Sequence, residues 1–134
     1  MEQQINVLGA LLAAISTFIL GAAWYSPALF GKPWIRLAGL STEKVASANK
    51  LKMISVSAIW SLLSAFAFAA FLGEAQFPAA LAAGLAAGFF WVTGSFAINY
   101  AFEQRPLGLW LINGGYHTVQ FTLYGAIIGA MNSL

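Results

Sequence analysis

The sequence contains no cysteine, no aspartate and only one histidine, His117. Without cysteine the chain cannot form a disulfide, a thiolate metal site or a cysteine nucleophile. A metal centre needs several imidazole or carboxylate ligands, and four glutamates with one histidine offer few. We therefore expect no metal, no cofactor and no catalytic residue, and we expect that the protein is not an enzyme.

Charge is also scarce. Only 7% of the 134 residues are charged and 60% are hydrophobic, whereas soluble domains carry about 25% charged residues. A soluble core cannot absorb this excess of apolar residues, so we expect the chain to be surrounded by lipid. Nucleic-acid binding requires a solvated basic face, and the sequence shows none.

Four long apolar runs account for most of the chain. Each approaches or exceeds the roughly 20 residues that a helix needs to cross the hydrocarbon layer, and none alternates as a barrel strand does. The sequence therefore predicts an all-α, integral membrane four-helix bundle that forms a single transmembrane domain over residues 1–134. The predicted helices cover about residues 5–26, 43–73, 78–104 and 106–132.

The basic residues indicate the orientation. All six lie between the first two runs or between the last two, while Glu2 precedes the first run and Glu74 follows the second. By the positive-inside rule the loops that carry them are cytoplasmic, and both termini lie outside. The segment between the first two helices is then a cytoplasmic interfacial segment.

The fourth run carries polar residues on one stripe at helical spacing, and its remaining face is apolar and expected to meet lipid. A hairpin at Pro106 would place the polar side of the third run at the same depth in the membrane as the polar stripe of the fourth. We therefore expect hydrogen bonds between the third and fourth helices. This set either joins the helices or lines a path or pocket. Its members are Ser95, Asn99, Glu103, Asn113, His117, Gln120 and Tyr124.

Two glycine pairs at GxxxG spacing, Gly84 with Gly88 and Gly125 with Gly129, predict close helix packing. The contact could form within one chain or between subunits.

A second candidate site is an aromatic and basic rim at the cytoplasmic side. It could bind an anionic headgroup or substrate, or it could be an ordinary interfacial anchor with an ion pair between Glu103 and a cation of the first loop. Two prolines, Pro27 and Pro33, argue against a regular helix through this segment. The rim residues are Trp24, Tyr25, Ser26, Pro27, Lys32, Trp34, Arg36 and Arg105.

Two stretches carry a family resemblance. Residues 21–34 read GAAWYSPALFGKPW, and residues 99–106 read NYAFEQRP, followed by LINGGY at 111–116. On these strings the sequence resembles a bacterial family of small membrane proteins known as domain of unknown function 1761. The resemblance implies a four-helix membrane fold and a multi-pass protein of the bacterial cytoplasmic (inner) membrane, and it implies no established activity.

The leading hypothesis for function is a homo-oligomeric small-solute or ion permeation or binding protein that uses the polar faces of the third and fourth helices. The alternative is a non-transporting membrane module that binds lipid or a partner membrane protein through the rim. The expected partners are the lipid bilayer, further copies of the chain, and a lipid headgroup or small solute.

The orientation is tested by single cysteines introduced into this cysteine-free chain. We expect a cysteine at Glu74 to react with a membrane-impermeant reagent from outside the cell, and a cysteine at Lys44 to react only after permeabilisation. The reverse labelling would overturn the orientation.

Overall fold

The computed structural model describes residues 5–134, so Glu2 lies outside the described residues. This part of the chain consists of helices and turns and contains no strand. Its elements, in order, are α1 (Val7–Trp24), α2 (Gly31–Ala38), α3 (Thr42–Ala46), α4 (Lys50–Leu72), α5 (Phe77–Ala86), a π-helical segment (Ala87–Thr93), α6 (Gly94–Phe102) and α7 (Leu107–Asn132).

Three helices are long and apolar enough to cross a membrane among the described residues. They are α1, α4, and the continuous helix Phe77–Phe102 formed by α5, the π-helical segment and α6. The fourth predicted span, α7, has 26 residues but is more polar, and it is not among the three.

The position of α7 explains how it accommodates polar residues. It packs against α1 on one side and against α5 and the π-helical segment on the other, and every residue from 112 to 129 is buried or partly buried. Ile112, on the face that was expected to meet lipid, is buried. That expectation is wrong for Ile112, whereas Val119, Leu123 and Ile127 on the same face are partly exposed.

Small residues bring α5 and α7 together. A Cβ atom on Gly84 would overlap the carbonyl oxygen of Phe121, and one on Gly125 would overlap that of Ala80. Gly88 and Gly129 lie in the same interface, against His117 and Phe77. All four glycines of the GxxxG pairs therefore pack within one chain.

We call the end of the bundle where α4 ends and α5 begins the closed end. There Asn132 of α7 forms hydrogen bonds to the loop between α4 and α5 and to the residue before α1. Its side-chain nitrogen donates to the carbonyl oxygens of Gly73 and Ala75, both at 3.0 Å. Its oxygen accepts a hydrogen bond from the side chain of Asn6 at 3.1 Å. Asn6 also caps α1 by accepting from the backbone of Gly9.

The opposite end, where α1 ends and α7 begins, is the open end. The short helix α2 lies there and contacts the start of α7. Pro33 is its third residue, where a missing backbone N–H costs nothing because first-turn amides lack helical partners. No regular helix runs through the whole segment, as expected, because α1 ends at Trp24 and residues 25–30 form turns, but Pro33 is accommodated within α2.

The helix predicted over residues 43–73 consists of two helices in the structure. The first, α3, ends at Ala46, and α4 begins at Lys50. Asn49 caps α4, because its side-chain oxygen accepts a hydrogen bond from the backbone of Lys52 at 3.0 Å. Asparagine is a strong N-cap residue, so a new helix start competes with continuation at this position.

The π-helical segment changes which residues face α7. Gly84, before the segment, and Gly88, its second residue, face α7 four residues apart, but the next inward residue is Thr93, five residues later. A π-turn holds an extra residue, which rotates the following helix by about 100° relative to a regular α-helix. Residues of α6 that a regular helix would turn inward consequently face outward.

Replacing Gly125 with Ala tests the contact between α5 and α7. The new methyl group would overlap the Ala80 backbone, and overpacking of this kind typically costs about 1–3 kcal/mol. We expect that loss in the free energy of unfolding, measured by circular dichroism in mixed detergent micelles.

Gly94→Ala is the matched control, because its new methyl group would meet only the Phe89 carbonyl at 3.8 Å, an ordinary contact. The helix propensity of alanine should make this variant neutral or more stable. Equal stability of the two variants would contradict the close contact.

Candidate binding cavity

A cavity of about 730 Å³ lies at the open end, between α1, α2, α4, α6 and α7. Its lining is largely apolar and aromatic, with a few hydroxyl, amide and imidazole groups. The lining residues are Phe18, Gly21, Ala22, Tyr25, Trp34, Met53, Ile54, Ser57, Ser61, Phe96, Asn113, Tyr116 and His117.

Aromatic side chains of the predicted rim form one wall. The ring of Tyr25 lies 5.1 Å from that of Trp34 and 5.5 Å from that of Tyr116, both with strongly tilted planes. Trp24 lies behind them and donates its indole N–H to the carbonyl oxygen of Ile112 at 2.9 Å. The rim aromatics therefore join α1 and α2 to α7 and face inward.

Asn113 connects this wall to α6. Its side-chain oxygen accepts from the Tyr25 hydroxyl at 2.6 Å, and its nitrogen donates to the Tyr100 hydroxyl at 2.8 Å. Burial raises the pKa of Tyr25 above its ordinary value. The phenol therefore stays protonated and remains a donor to Asn113.

The polar stripe of α7 continues below the cavity as a chain of hydrogen bonds. The Nδ1 atom of His117 lies 2.7 Å from the side-chain oxygen of Gln120. The Gln120 nitrogen donates to the Tyr124 hydroxyl at 3.0 Å, and that hydroxyl donates to the carbonyl oxygen of Ser61 at 3.3 Å. Tyr124 is fully buried, so the chain runs from the cavity into the core.

A second cavity of about 340 Å³ adjoins the first on the side between α4 and the π-helical segment. The two share Ser57, Ser61, Tyr116 and His117. Within residues 5–134, α4 packs extensively on α1 but not on α5, the π-helical segment or α6. Trp60, which lines this cavity, is 63% exposed. The gap between α4 and the π-helical segment therefore opens at the side of the helix bundle, onto an apolar surface.

Three residues of the predicted polar set lie elsewhere. Ser95 and Asn99 are exposed on α6, and the Ser95 hydroxyl donates to the carbonyl oxygen of Trp91 on its own helix. Glu103 is exposed and pairs with Arg105 at 3.9 Å. The expected hydrogen bonds from Ser95 and Asn99 to α7 are absent from the described structure, because the π-helical segment rotates α6.

The basic members of the predicted rim do not face the cavity. Lys32, Arg36 and Arg105 are exposed, and the partner of Glu103 is Arg105 rather than a cation of the first loop. Pro27 is exposed, and Ser26 is partly buried and donates to the Ala23 carbonyl at 2.7 Å. The rim is therefore divided into inward aromatic and outward basic groups.

Sequence reasoning missed several residues of the site. Thr93 is buried and contacts the carbonyl oxygen of Gly114 at 2.7 Å and the Thr118 hydroxyl at 2.8 Å. Phe96 stacks on His117 with a centroid distance of 5.2 Å. No simple sequence pattern marks a π-turn, whereas Tyr116, one turn from Asn113 and Gln120, could have been included from its spacing.

Residues 5–134 form helices and turns, and their three apolar helices of membrane-spanning length and cavity at one end are features of a helical membrane protein. The chain belongs to the family described as protein of unknown function (DUF1761), which it matches over residues 8–129. The resemblance seen in the sequence is thus confirmed. No curated protein and no solved structure matches the chain.

The rotation of α6 is tested by replacing Thr93 with Val. This near-isosteric change removes the hydroxyl that contacts Gly114 and Thr118. We expect a loss of roughly 0.5–1.5 kcal/mol in the free energy of unfolding, measured by detergent titration.

Ser95→Ala is the control, because Ser95 is exposed and bonds only to its own helix. It should leave stability nearly unchanged. A regular helix without the π-turn would reverse the order of the two effects.

Proposed function

We propose that the protein binds a small, largely apolar molecule in the cavity at the open end. The observation that carries this proposal is the cavity itself, whose volume of about 730 Å³ falls within the roughly 300–1,000 Å³ of small-molecule sites. Its mixture of aromatic walls and a few polar groups is also typical of such sites. No charged residue occurs in its described lining, which favours an uncharged ligand.

The sideways gap supports entry from the bilayer. The second cavity leads from Ser57 and His117 to Trp60, on a face of α4 where large apolar side chains are exposed. A ligand dissolved in lipid would reach the polar groups of α7 through this gap without crossing the aqueous phase.

The closed end favours binding over ion conduction. Below the cavity, Tyr124 is fully buried and Phe68 packs against it and against Phe121. A continuous path would require these side chains to separate. Solute permeation therefore remains a proposal that needs a conformational change, and no catalytic step is assigned.

The orientation of the protein in the membrane and its oligomeric state are also proposals. We place α7 across the membrane as a fourth span, the open end at the cytoplasmic side of a bacterial inner membrane, and both termini outside, on the distribution of basic residues. A homo-oligomer would have to use exposed apolar faces, because Gly84 and Gly125 are occupied within the chain.

A second candidate function is lipid binding at the rim. Its support is α2, which presents Trp34 to the cavity and the exposed Lys32 and Arg36 on another side. Basic residues on a short amphipathic helix are suited to anionic headgroups.

Cavity binding is tested with an alkyl diazirine photoprobe in liposomes. We expect the probe to crosslink to residues of the cavity lining, identified by mass spectrometry of the purified protein. Ser57→Phe, which fills the space shared by both cavities, should reduce this crosslinking several-fold.

Ser95→Phe is the matched control, because it adds the same side chain on an exposed face of the neighbouring wall helix. It should leave crosslinking in the cavity unchanged. Crosslinks spread evenly over the lipid-facing surface of the unmodified protein would contradict the proposal.

A further inference from the structure

The hydrogen bonds below the cavity determine which nitrogen of His117 carries the proton. They end at the backbone carbonyl oxygen of Ser61, which can only accept. The Tyr124 hydroxyl donates its single proton to that oxygen. Toward Gln120, the Tyr124 oxygen is therefore an acceptor, and the Gln120 amide nitrogen donates to it at 3.0 Å.

This orients the Gln120 amide. Its oxygen then faces Nδ1 of His117 at 2.7 Å, and an amide oxygen can only accept. With the amide in this orientation, Nδ1 carries the hydrogen, and in a neutral imidazole Nε2 is left as an acceptor. His117 lines both cavities, so this acceptor is available to a ligand.

Other hydroxyls of the lining are also committed as donors. Three of them give their protons to protein oxygens, which leaves the hydroxyl oxygens as acceptors. These are Tyr25 to Asn113 at 2.6 Å, Tyr116 to the Thr17 carbonyl at 3.1 Å, and Ser57 to the Met53 carbonyl at 2.7 Å.

Nε2 of His117 and these three hydroxyl oxygens make four acceptors, whereas the lining residues offer three uncommitted donors. The donors are the indole N–H of Trp34, the Ser61 hydroxyl and the second N–H of Asn113. The excess of acceptors favours a ligand that carries a hydrogen-bond donor. A ligand with only acceptor oxygens, such as an ether, would lose its hydrogen bonds to water and find few replacements.

The lack of charged residues in the lining indicates which kind of donor group the ligand carries. Aliphatic amines are protonated at neutral pH, and a cation in an apolar cavity needs a carboxylate partner. The described lining contains none, and Glu103 lies outside with Arg105. A neutral hydroxyl group meets the requirement.

We propose that the cavity ligand is a lipophilic alcohol or phenol whose hydroxyl donates to Nε2 of His117, and that Gln120 is the positioning residue that holds this nitrogen as an acceptor. This inference rests on the proposed function and adds the chemical class of the ligand.

The tautomer is measured without any ligand. Because His117 is the only histidine, nitrogen NMR of protein labelled at histidine reports a single imidazole. We expect the proton on Nδ1, whereas free histidine in water favours Nε2. Gln120→Leu removes the acceptor beside Nδ1 and should shift the signal toward the Nε2 tautomer. A proton on Nε2 in the unmodified protein would overturn the inference.

Ligand chemistry is measured by competition against the alkyl diazirine photoprobe with two isomers, dodecanol and methyl undecyl ether. They have the same composition and differ in the hydroxyl proton. We expect dodecanol to compete roughly three- to tenfold better, the value of one added hydrogen bond.

His117→Phe should abolish this preference while keeping the ring that stacks on Phe96, and Gln120→Leu should reduce it. Ser95→Ala should retain the full difference. Equal competition by both isomers in the unmodified protein would reject the hydroxyl ligand and leave cavity binding standing. Failure of both isomers to compete, together with crosslinks confined to the outer surface, would reject the proposed function itself.

Discussion

At the closed end of the bundle, the backbones of α5 and α7 touch because Gly84 and Gly125 have no Cβ atoms. This contact draws α7 into the interior, with α1 on its other side. A helix in that position is shielded from lipid and tolerates side chains that an exposed span would not. The polar stripe of α7 depends on this arrangement. Because α4 packs on α1 and not on α6, the cavity lies between α4 and α6.

The π-helical segment is a second constraint, because it rotates α6 relative to α5. It brings Thr93 to α7 and turns Phe96 and Tyr100 inward, while Ser95 and Asn99 face outward. The irregular turn is stabilised from α7, since the Trp110 indole donates to the Thr93 carbonyl at 2.9 Å. As a result, the wall opposite α4 is aromatic rather than amide-rich, and the polar groups of the cavity come mainly from α4, α7 and Tyr25.

The sequence allowed the helical class, the family and the three apolar spans to be predicted, because hydropathy over 20 residues is a strong local signal. The stripe of His117, Gln120 and Tyr124 could be predicted because α7 is a regular helix. Asn99 and Ser95 were misplaced because a regular period was assumed across Ala87–Thr93. The division of the rim could not be predicted either, since it depends on α2 folding back beside α7.

Polar residues inside the bundle serve both packing and binding. A stripe that only joined helices would use all its donors and acceptors between neighbours. Here Gln120 bonds to His117 and Tyr124 within α7, and of these three only Tyr124 reaches a neighbouring helix, at the Ser61 carbonyl. Nδ1 of His117 is used, but Nε2 has no protein partner among the described residues, and His117 lines the cavity. An imidazole in lipid is costly unless both nitrogens find partners, so a nitrogen left open to a cavity is better explained by a ligand or water than by helix packing alone.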